Sequence, residues 1–205
     1  ITAEKKEKYI IETIRSCLKQ SLLKKLRIIV VYSKLDNVKE VKSRFLKFKN
    51  IIFLKSLPSK KLPIHDQLFK IEVASKYLRN EWVLLLDGDD LFTKKKLENL
   101  QKLNLNKNML YLHDHALVNG SFLSKSKKYK KYKKNFLYKN LFNDWPEKIN
   151  TSSIVISAKK LKKFYLENNP YKWKFLAIDV QLVLYFHYMN NFIFLNKIFT
   201  LKREN

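Results

Sequence analysis

One short segment constrains the fold of this chain more than any other. Five apolar residues, Trp82 to Leu86, run directly into the sequence Asp87-Gly88-Asp89-Asp90. An uninterrupted apolar run of this length indicates a strand that is covered on both faces, as in a parallel sheet. Gly88 is one of only two glycines in the chain, and glycine adopts backbone angles that other residues resist. The segment therefore predicts a buried strand that delivers three carboxylates to one edge of a sheet.

Hydrophobic patterns along the rest of the chain alternate between helix and strand. Apolar residues at helical spacing predict helices over 4–19, 64–79 and 173–189, and another from the candidate cap Ser157 to about residue 167. Short apolar runs predict strands at 27–32, 51–54, 109–112, 153–156 and 192–201, and Thr93 is a candidate cap for a short lysine-rich helix. Strands separated by helices predict parallel pairing through right-handed crossovers, so the fold class is α/β.

The composition indicates one globular domain. A chain of 205 residues with 46% hydrophobic residues buries about 70% of its unfolded surface, and neither linker nor repeat divides it, so a single domain over 1–205 is expected. A single cysteine, Cys17, excludes an internal disulfide and fits a reducing compartment. We find neither an apolar run of about 18 residues nor a cleavable signal pattern. These features predict a cytoplasmic protein, with the inner face of the membrane as the alternative location.

The charge balance is strongly basic. The chain carries 43 basic against 18 acidic residues, a formal net charge of +25. Nucleic acid, anionic lipid head groups and phosphorylated substrates all suit this excess, but an AT-rich coding composition would also produce it. A lysine- and tyrosine-rich segment at 122–140, with its lysines between 125 and 134, predicts a loop within the domain. Such a loop can grip phosphates and stack on rings, or it is solvated without a special role, and both interpretations stay open.

The acidic strand end is the first candidate site. In open α/β sheets, ligands bind beyond the carboxyl ends of the strands. An Asp-x-Asp pair such as Asp87 and Asp89 can hold Mg²⁺ or Mn²⁺ through one or two carboxylates, while the phosphates of a ligand fill the other positions. The alternative is an acidic turn that caps the next helix. We favour the metal, because a cap needs one acid rather than three.

Asp179 is the second candidate. Its neighbours three and four positions away on the predicted helix are all apolar: Phe175, Leu176, Leu182 and Val183. A carboxylate on a buried face is costly unless it is paired, and burial raises its pKa toward values that suit a general base. The alternative is an N-cap, with the helix starting at Val180, and spacing alone does not separate the two.

His113 and His115 are a weaker candidate for a metal pair. Alternate residues of a strand share one face, but no third ligand is close in sequence, so we do not favour a metal site there. Either histidine could line a polar pocket instead. With two glycines, the chain cannot form a glycine-rich phosphate loop.

The order of these segments resembles the family 2 glycosyltransferases of GT-A fold, a Rossmann-like mixed sheet flanked by helices. The helix from Ile10 to Gln20 ends in a Ser-x-x-x-Gln pattern, and residues 82–90 resemble the segment that leads into the family's Asp-x-Asp signature. Residues 28–32 resemble its second strand, 150–156 the strand that borders the acceptor site, and 201–203 its closing strand.

The resemblance implies a bacterial enzyme of polysaccharide biosynthesis. It would move a sugar, with inversion, from a nucleotide-diphospho-sugar to a hydroxyl of a surface glycan or lipid-linked acceptor, with Mn²⁺ or Mg²⁺ as cofactor. Asp87 and Asp89 would contact the donor and its metal, with Asp90 adjacent. Asp179 would deprotonate the acceptor hydroxyl. Peripheral membrane contact is a further expectation, and a specific nucleic-acid partner is not expected.

Three departures from the family pattern accompany the resemblance. Ile178, rather than an acid, precedes Asp179. The acidic turn after the second strand, which helps to bind base and ribose, is reduced here to Asp36. The first strand is reduced to Ile1-Thr2.

Two rival functions remain. A basic nucleic-acid-binding module would explain the charge but not the acidic strand end. A nucleotidyltransferase of related fold commonly holds its triphosphate with a glycine-rich loop, which this chain lacks.

Overall fold

The computed structural model describes residues 1–3, 7–22, 26–35, 38–57, 63–119, 122–123, 149–173 and 175–203. Its strands are β1 (Thr2–Ala3), β2 (Ile28–Tyr32), β3 (Ile51–Lys55), β4 (Trp82–Leu84), β5 (Leu91–Phe92), β6 (Leu110–Asn119), β7 (Phe122–Leu123), β8 (Ile154–Ser157) and β9 (Phe192–Arg203). Its helices are α1 (Glu7–Leu18), α2 (Val38–Arg44), α3 (Pro63–Lys76), α4 (Lys96–Gln101), α5 (Ala158–Glu167) and α6 (Ile178–Tyr188). Single 3-10 turns at Thr151–Ser153 and Pro170–Lys172 precede β8 and follow α5. The predicted α/β class is confirmed.

Two sheets meet at the acidic segment. One sheet has the order β1-β2-β3, and the other has the order β4-β8-β6-β9-β5, with β7 paired to β6. A parallel bridge joins Thr2 to Asp87, and the Thr2 backbone N–H donates to the Leu86 carbonyl at 3.0 Å. The first acidic residue therefore lies where the two sheets join.

The prediction of parallel pairing is wrong for four of the seven strand pairs in the described residues. The β1-β2-β3 pairs and the β6-β9 pair are parallel, but β8 runs antiparallel to both β4 and β6, and β5 runs antiparallel to β9. An apolar run reports burial on both faces and carries no information about strand direction. The resulting mixed sheet agrees with the architecture that the resemblance implies.

Apolar cores cover both faces around the acidic strand end. Ile14 of α1 and Val30 of β2 are fully buried in a core that includes Leu86, whereas Leu68 of α3 and Leu182 of α6 belong to a second core. Each such side chain stabilises the fold by about 1.5–3 kcal/mol. The carboxylates therefore emerge from a strand that packing holds on both sides.

Two predicted helix starts differ from the structure. The Thr93 hydroxyl donates to the Phe199 carbonyl at 3.3 Å, and α4 begins later, at Lys96, without a side-chain cap from Thr93. Helix α6 begins at Ile178 rather than at residue 173. The predicted cap at Ser157 is confirmed, because its hydroxyl accepts the Lys160 N–H at 3.4 Å.

Two predictions fall largely beyond the part of the chain that the structure describes. Asp36 lies outside it, as does the predicted loop 122–140 except for strand β7. None of the described helices has the length and apolar character needed to cross a bilayer.

Candidate active site

Asp87 is held by three separate parts of the fold. Its Oδ1 accepts hydrogen bonds from the Thr2 hydroxyl of β1 at 3.1 Å and from the Gln67 amide of α3 at 2.7 Å. Its backbone N–H donates to the Ser152 hydroxyl at 2.9 Å. The Asp90 N–H closes the turn by donating to the Asp87 carbonyl at 3.2 Å. The acidic turn is therefore a preorganised structure.

Gly88 is required for space rather than for unusual backbone angles. A Cβ atom at this position would lie 2.9 Å from the Thr2 carbonyl oxygen and 3.1 Å from the Ala3 Cα. Both atoms belong to the backbone of β1, which cannot move aside cheaply. We predicted from the sequence that a glycine is needed at position 88. The reason is the close approach of β1 and not the backbone angles of the turn.

Helix α1 and the turn after it fix the other side of the acidic turn through three polar side chains. Thr13 donates to the Gly88 carbonyl at 2.9 Å, and the Ser16 hydroxyl accepts the Phe92 N–H at 3.1 Å. The Gln20 amide donates to the Thr93 carbonyl at 2.9 Å, while its oxygen accepts the Leu97 N–H at 3.2 Å. Gln20 thus occupies the capping role that we assigned to Thr93. The Ser-x-x-x-Gln pattern holds the segment that follows the acidic turn.

Strand β9 approaches the turn from the opposite direction. The Arg203 backbone N–H donates to Asp90 Oδ1 at 3.1 Å, and its Nε donates to the Asp89 carbonyl at 2.8 Å. The guanidinium also pairs with Glu12 and lies 4.6 Å from the centre of the Tyr9 ring. Arg203 therefore ties the closing strand to two of the three acidic residues.

Asp87 and Asp90 have raised pKa values. Burial, reinforced by the charges of Asp90, Asp89 and Asp179, raises the pKa of Asp87 to about 7. Burial raises the pKa of Asp90 to about 6, against hydrogen bonds from Ser152 and Arg203 that favour its ionised form. The carboxylates repel one another, and a cation bound at the turn would stabilise their ionised forms.

Asp179 lies at the start of α6 and faces the acidic turn closely enough for its charge to act on Asp87. It is the second residue of the helix, only 9% exposed, and its Oδ1 accepts the Val180 N–H at 2.8 Å. The alternative in which Asp179 caps a helix starting at Val180 is wrong, because the helix begins at Ile178. Burial raises the pKa of Asp179 to about 6, and the Lys202 charge opposes that rise.

The two histidines do not form a metal pair. His113 is fully buried, with Nδ1 against the Asp114 carbonyl at 2.9 Å and its ring 5.3 Å from that of Phe199. His115 Nδ1 lies 2.9 Å from the Asn150 amide nitrogen. Burial lowers the pKa of His115 to about 4, and the Lys202 charge acts in the same direction. The register between β6 and β9 shifts at these residues, which breaks the alternation that we used to pair them.

Sequence reasoning missed several residues of the site. They are Thr2, Gln67, Asn150, Ser152, Lys202 and Arg203. Asn150, Ser152, Lys202 and Arg203 fall inside segments that the resemblance quoted, which was an available signal. Gln67 had no such signal, because its partner is 20 residues away in sequence.

A divalent cation fits the acidic turn only if the phosphates of a substrate supply some of its ligands. In the described ranges, no three His, Cys, Asp or Glu side chains converge as a metal cage. Mg²⁺ and Mn²⁺ are commonly bound through one or two carboxylates plus the phosphates of a substrate, which requires no such cage. The oxygen donors of Asp87, Asp89 and Asp90 suit this mode.

Comparison with known proteins identifies the family. The model of glycosyl transferase family 2 matches residues 1–164. The structure is similar to TarS from S. aureus, with 18% identity and a TM-score of 0.69, over 99% of this chain and 36% of that chain. It is equally similar to TarS 1–349 in complex with UDP, with 19% identity and a TM-score of 0.69, over 100% and 59% of the two chains.

A more distant structural match is a protein from Bacillus anthracis assigned as a glucose-1-phosphate thymidylyltransferase. Its identity is 11% and its TM-score 0.56, over 92% of this chain and 74% of that chain. No curated protein sequence matches the chain. At these identities the structural matches show the fold alone, and the chain spans less than two thirds of the TarS chains. The GT-A fold and the family resemblance are confirmed.

Proposed function

Because the chain belongs to glycosyl transferase family 2, we propose that it transfers a sugar from a nucleotide-diphospho-sugar to an acceptor hydroxyl with inversion. One observation carries this proposal beyond the family: the buried Asp179 carboxylate acts electrostatically on Asp87 across the site. The ionised Asp179 carboxylate can accept a proton. It lies near an acidic turn that can bind a diphosphate through a cation.

The donor would bind at the acidic turn. A TarS structure contains UDP, which supports a nucleoside diphosphate as the recognised group. Asp87 and Asp89, with Asp90 adjacent, would hold Mn²⁺ or Mg²⁺ together with the donor phosphates. The cation, when bound, neutralises charge on the departing diphosphate. Asp36 would contact the base and ribose, an assignment that rests on the sequence alone.

Asp179 would act as the general base. The acceptor hydroxyl attacks the anomeric carbon from the face opposite the diphosphate, a new C–O bond forms, and the sugar–phosphate bond breaks. The hydroxyl proton passes to Asp179, which a pKa of about 6 leaves mainly ionised at neutral pH. The acceptor would be a surface glycan or a lipid-linked oligosaccharide, and the protein would work in the cytoplasm at the inner face of the membrane.

The rival functions have less support. The acidic turn does not suit a nucleic-acid-binding module, because its carboxylates repel phosphates when no cation is bound. The structural match to a thymidylyltransferase supports a shared fold, whereas the match of 1–164 to a glycosyltransferase family model favours sugar transfer.

The test separates donor binding from transfer. We would measure UDP affinity by calorimetry with and without Mn²⁺, and then UDP release from UDP-sugars with a panel of glycoside acceptors. Asp89→Ala should abolish the Mn²⁺-dependent part of UDP affinity. Asp179→Asn should keep that affinity and lower transfer by about 100-fold or more.

Glu98→Gln is the matched control, because it removes a carboxylate that pairs with Lys102 at the surface of α4. Full transfer by Asp179→Asn would remove its role as base. Unchanged Mn²⁺-dependent affinity in Asp89→Ala would remove the metal assignment.

A further inference from the structure

The segment between α5 and α6 exposes large aromatic side chains. We call residues 171–173 and 175–176 the aromatic loop, and they include Trp173 at 57% exposure and Phe175 at 84% exposure. Folded proteins expose single apolar residues freely, but two bulky rings within three positions are a feature of interaction surfaces.

The fold holds this loop in place. The amide of Gln181, on α6, donates to the Pro170 carbonyl at 3.2 Å and to the Leu176 carbonyl at 2.7 Å, so one buried side chain closes both ends. Tyr171 faces inward: its ring lies 5.7 Å from that of His65, and its hydroxyl bonds to Glu72. Trp173 and Phe175 are therefore exposed by an anchored loop, not by an untethered one.

The charge around the loop is basic. Residues 158–176 contain six lysines, at 159, 160, 162, 163, 172 and 174, against the single acid Glu167. Glu167 already pairs with Lys163 at 3.2 Å. The surface partner of such a segment should therefore be negatively charged, in line with the net charge of +25.

Exposed tryptophan and phenylalanine together with lysine form the combination that proteins use at a bilayer interface. The rings sit at the level of the head groups, and each lysine near an anionic lipid surface adds to the electrostatic attraction. A neutral glycan would leave the lysines unused, and a soluble polyanion without rings of its own would leave the two aromatic side chains in water. An anionic lipid surface uses both.

We infer that the aromatic loop docks this protein on an anionic membrane surface, with Trp173 and Phe175 at the head-group boundary and the neighbouring lysines on lipid phosphates. This docking does not require the proposed sugar transfer. It has a consequence for that reaction, because Phe175 is four residues from Asp179, which an extended chain spans in at most about 14 Å. The candidate base would then work close to the membrane, within reach of a lipid-linked hydroxyl.

The experiment measures co-sedimentation of the full chain with vesicles, without donor or acceptor. Vesicles of phosphatidylcholine alone are compared with vesicles that also contain phosphatidylglycerol. The chain should bind only the mixed vesicles, and Trp173→Ala and Phe175→Ala should each weaken binding by about tenfold. Tyr188→Ala is the matched control: this ring is 86% exposed, like Phe175, but stands at the other end of α6. Its binding should equal that of the parent.

A second readout locates the contact. Lipids brominated near the head groups should quench the tryptophan fluorescence of the parent, and Trp173→Phe should bind normally while losing that quenching. Thermal melts confirm that each surface variant is folded.

Three results would overturn the inference. They are no binding to mixed vesicles, full binding by the double Trp173→Ala/Phe175→Ala variant, or an equal loss with Tyr188→Ala. Full binding by the double variant would assign the contact to other basic segments, such as the lysines at 125–134. None of these results bears on sugar transfer, so the proposed function stands or falls separately.

Discussion

Ser152 contacts Asp87 through a hydrogen bond in which its hydroxyl accepts the Asp87 backbone N–H at 2.9 Å. The carbonyl of the same serine accepts hydrogen bonds from the Thr200 hydroxyl at 2.9 Å and from the Lys96 ammonium at 3.3 Å. One residue of a 3-10 turn therefore links the first acid of the site to β9 and to α4. The acidic turn rests on a buried polar network, and its parts can be tested one at a time.

Lys96 is the unusual member of this network, because it is fully buried without a carboxylate in direct contact among the described residues. Its ammonium lies 3.9 Å from the centre of the Phe92 ring, and burial lowers the pKa of Lys96 well below its ordinary value. Lys96→Met keeps the volume, and Thr200 still satisfies the Ser152 carbonyl. We expect it to change the free energy of unfolding by about 1 kcal/mol or less.

Urea denaturation measures this change. Lys96→Ala is the comparison, because it leaves a cavity and should cost about 2–5 kcal/mol. Equal losses in the two variants would show that the ammonium's own bonds matter more than the space it fills.

Gln67 supports the ionised form of Asp87. Its amide donates to the carboxylate at 2.7 Å, so Gln67→Leu removes a hydrogen bond to a charged group. We expect Mn²⁺-dependent UDP affinity, measured by calorimetry, to fall by about tenfold. Gln101→Leu, at the exposed end of α4, is the control and should bind as the parent does. The same affinity in Gln67→Leu would mean that this bond does not tune the acid.

The raised pKa of Asp87 has a consequence for stability. Because the folded state holds the proton up to a pH of about 7, against an ordinary value of 3.8, ionisation of Asp87 destabilises the fold progressively between those values. Asp87→Asn removes this effect. In metal-free buffer, the Tm of the variant minus that of the parent should rise from about pH 4 to about pH 7 and then level off.

Thermal melts across this pH range provide the measurement. Added Mn²⁺ and UDP should raise the Tm of the parent more than that of the variant. A Tm difference that stays constant with pH would contradict the raised pKa.

Gln20 should contribute measurably to the free energy of unfolding. Gln20→Met orphans the Leu97 N–H at the start of α4 and leaves the Thr93 carbonyl with the Lys96 N–H as its donor, with an expected cost of about 1–3 kcal/mol in guanidinium unfolding. Amide exchange at Leu97 should accelerate as well. Lys19→Met changes the exposed neighbouring residue and should leave both measurements unchanged. Slow exchange at Leu97 in Gln20→Met would show that another group caps α4.

Much of the secondary structure could be read from local patterns. The apolar run before Asp87, the cap at Ser157 and the order of helices and strands all depend on residues close together in the chain. The roles of Asp87, Asp89, Asp90 and Asp179 in binding and catalysis stay predictions. A raised pKa was predicted from sequence for Asp179 alone, and burial raises it to about 6.

The contacts that build the site could not be read in the same way. Gln67 with Asp87, Ser152 with Asp87, and Arg203 with Asp90 are separated by 20, 65 and 113 residues. Nothing near Gln67 or Lys96 in sequence indicates that one will bond to an acid and the other will be buried. Strand direction was missed for a related reason, since apolar runs do not record which way the chain returns.

By itself, the sequence determined that an apolar strand leads into Asp87-Gly88-Asp89-Asp90, because hydrophobic patterning acts locally. The strand is shorter and less buried than predicted: it covers Trp82–Leu84, which are half-buried, and only Leu85 and Leu86 after it are buried. Only the tertiary structure decided what surrounds those carboxylates. It brings the backbone of β1 against Gly88, places Asp179 where its charge reaches Asp87, and leaves Trp173 and Phe175 uncovered. These outcomes depend on which distant surfaces pack together, and packing is a property of the whole chain rather than of any one segment.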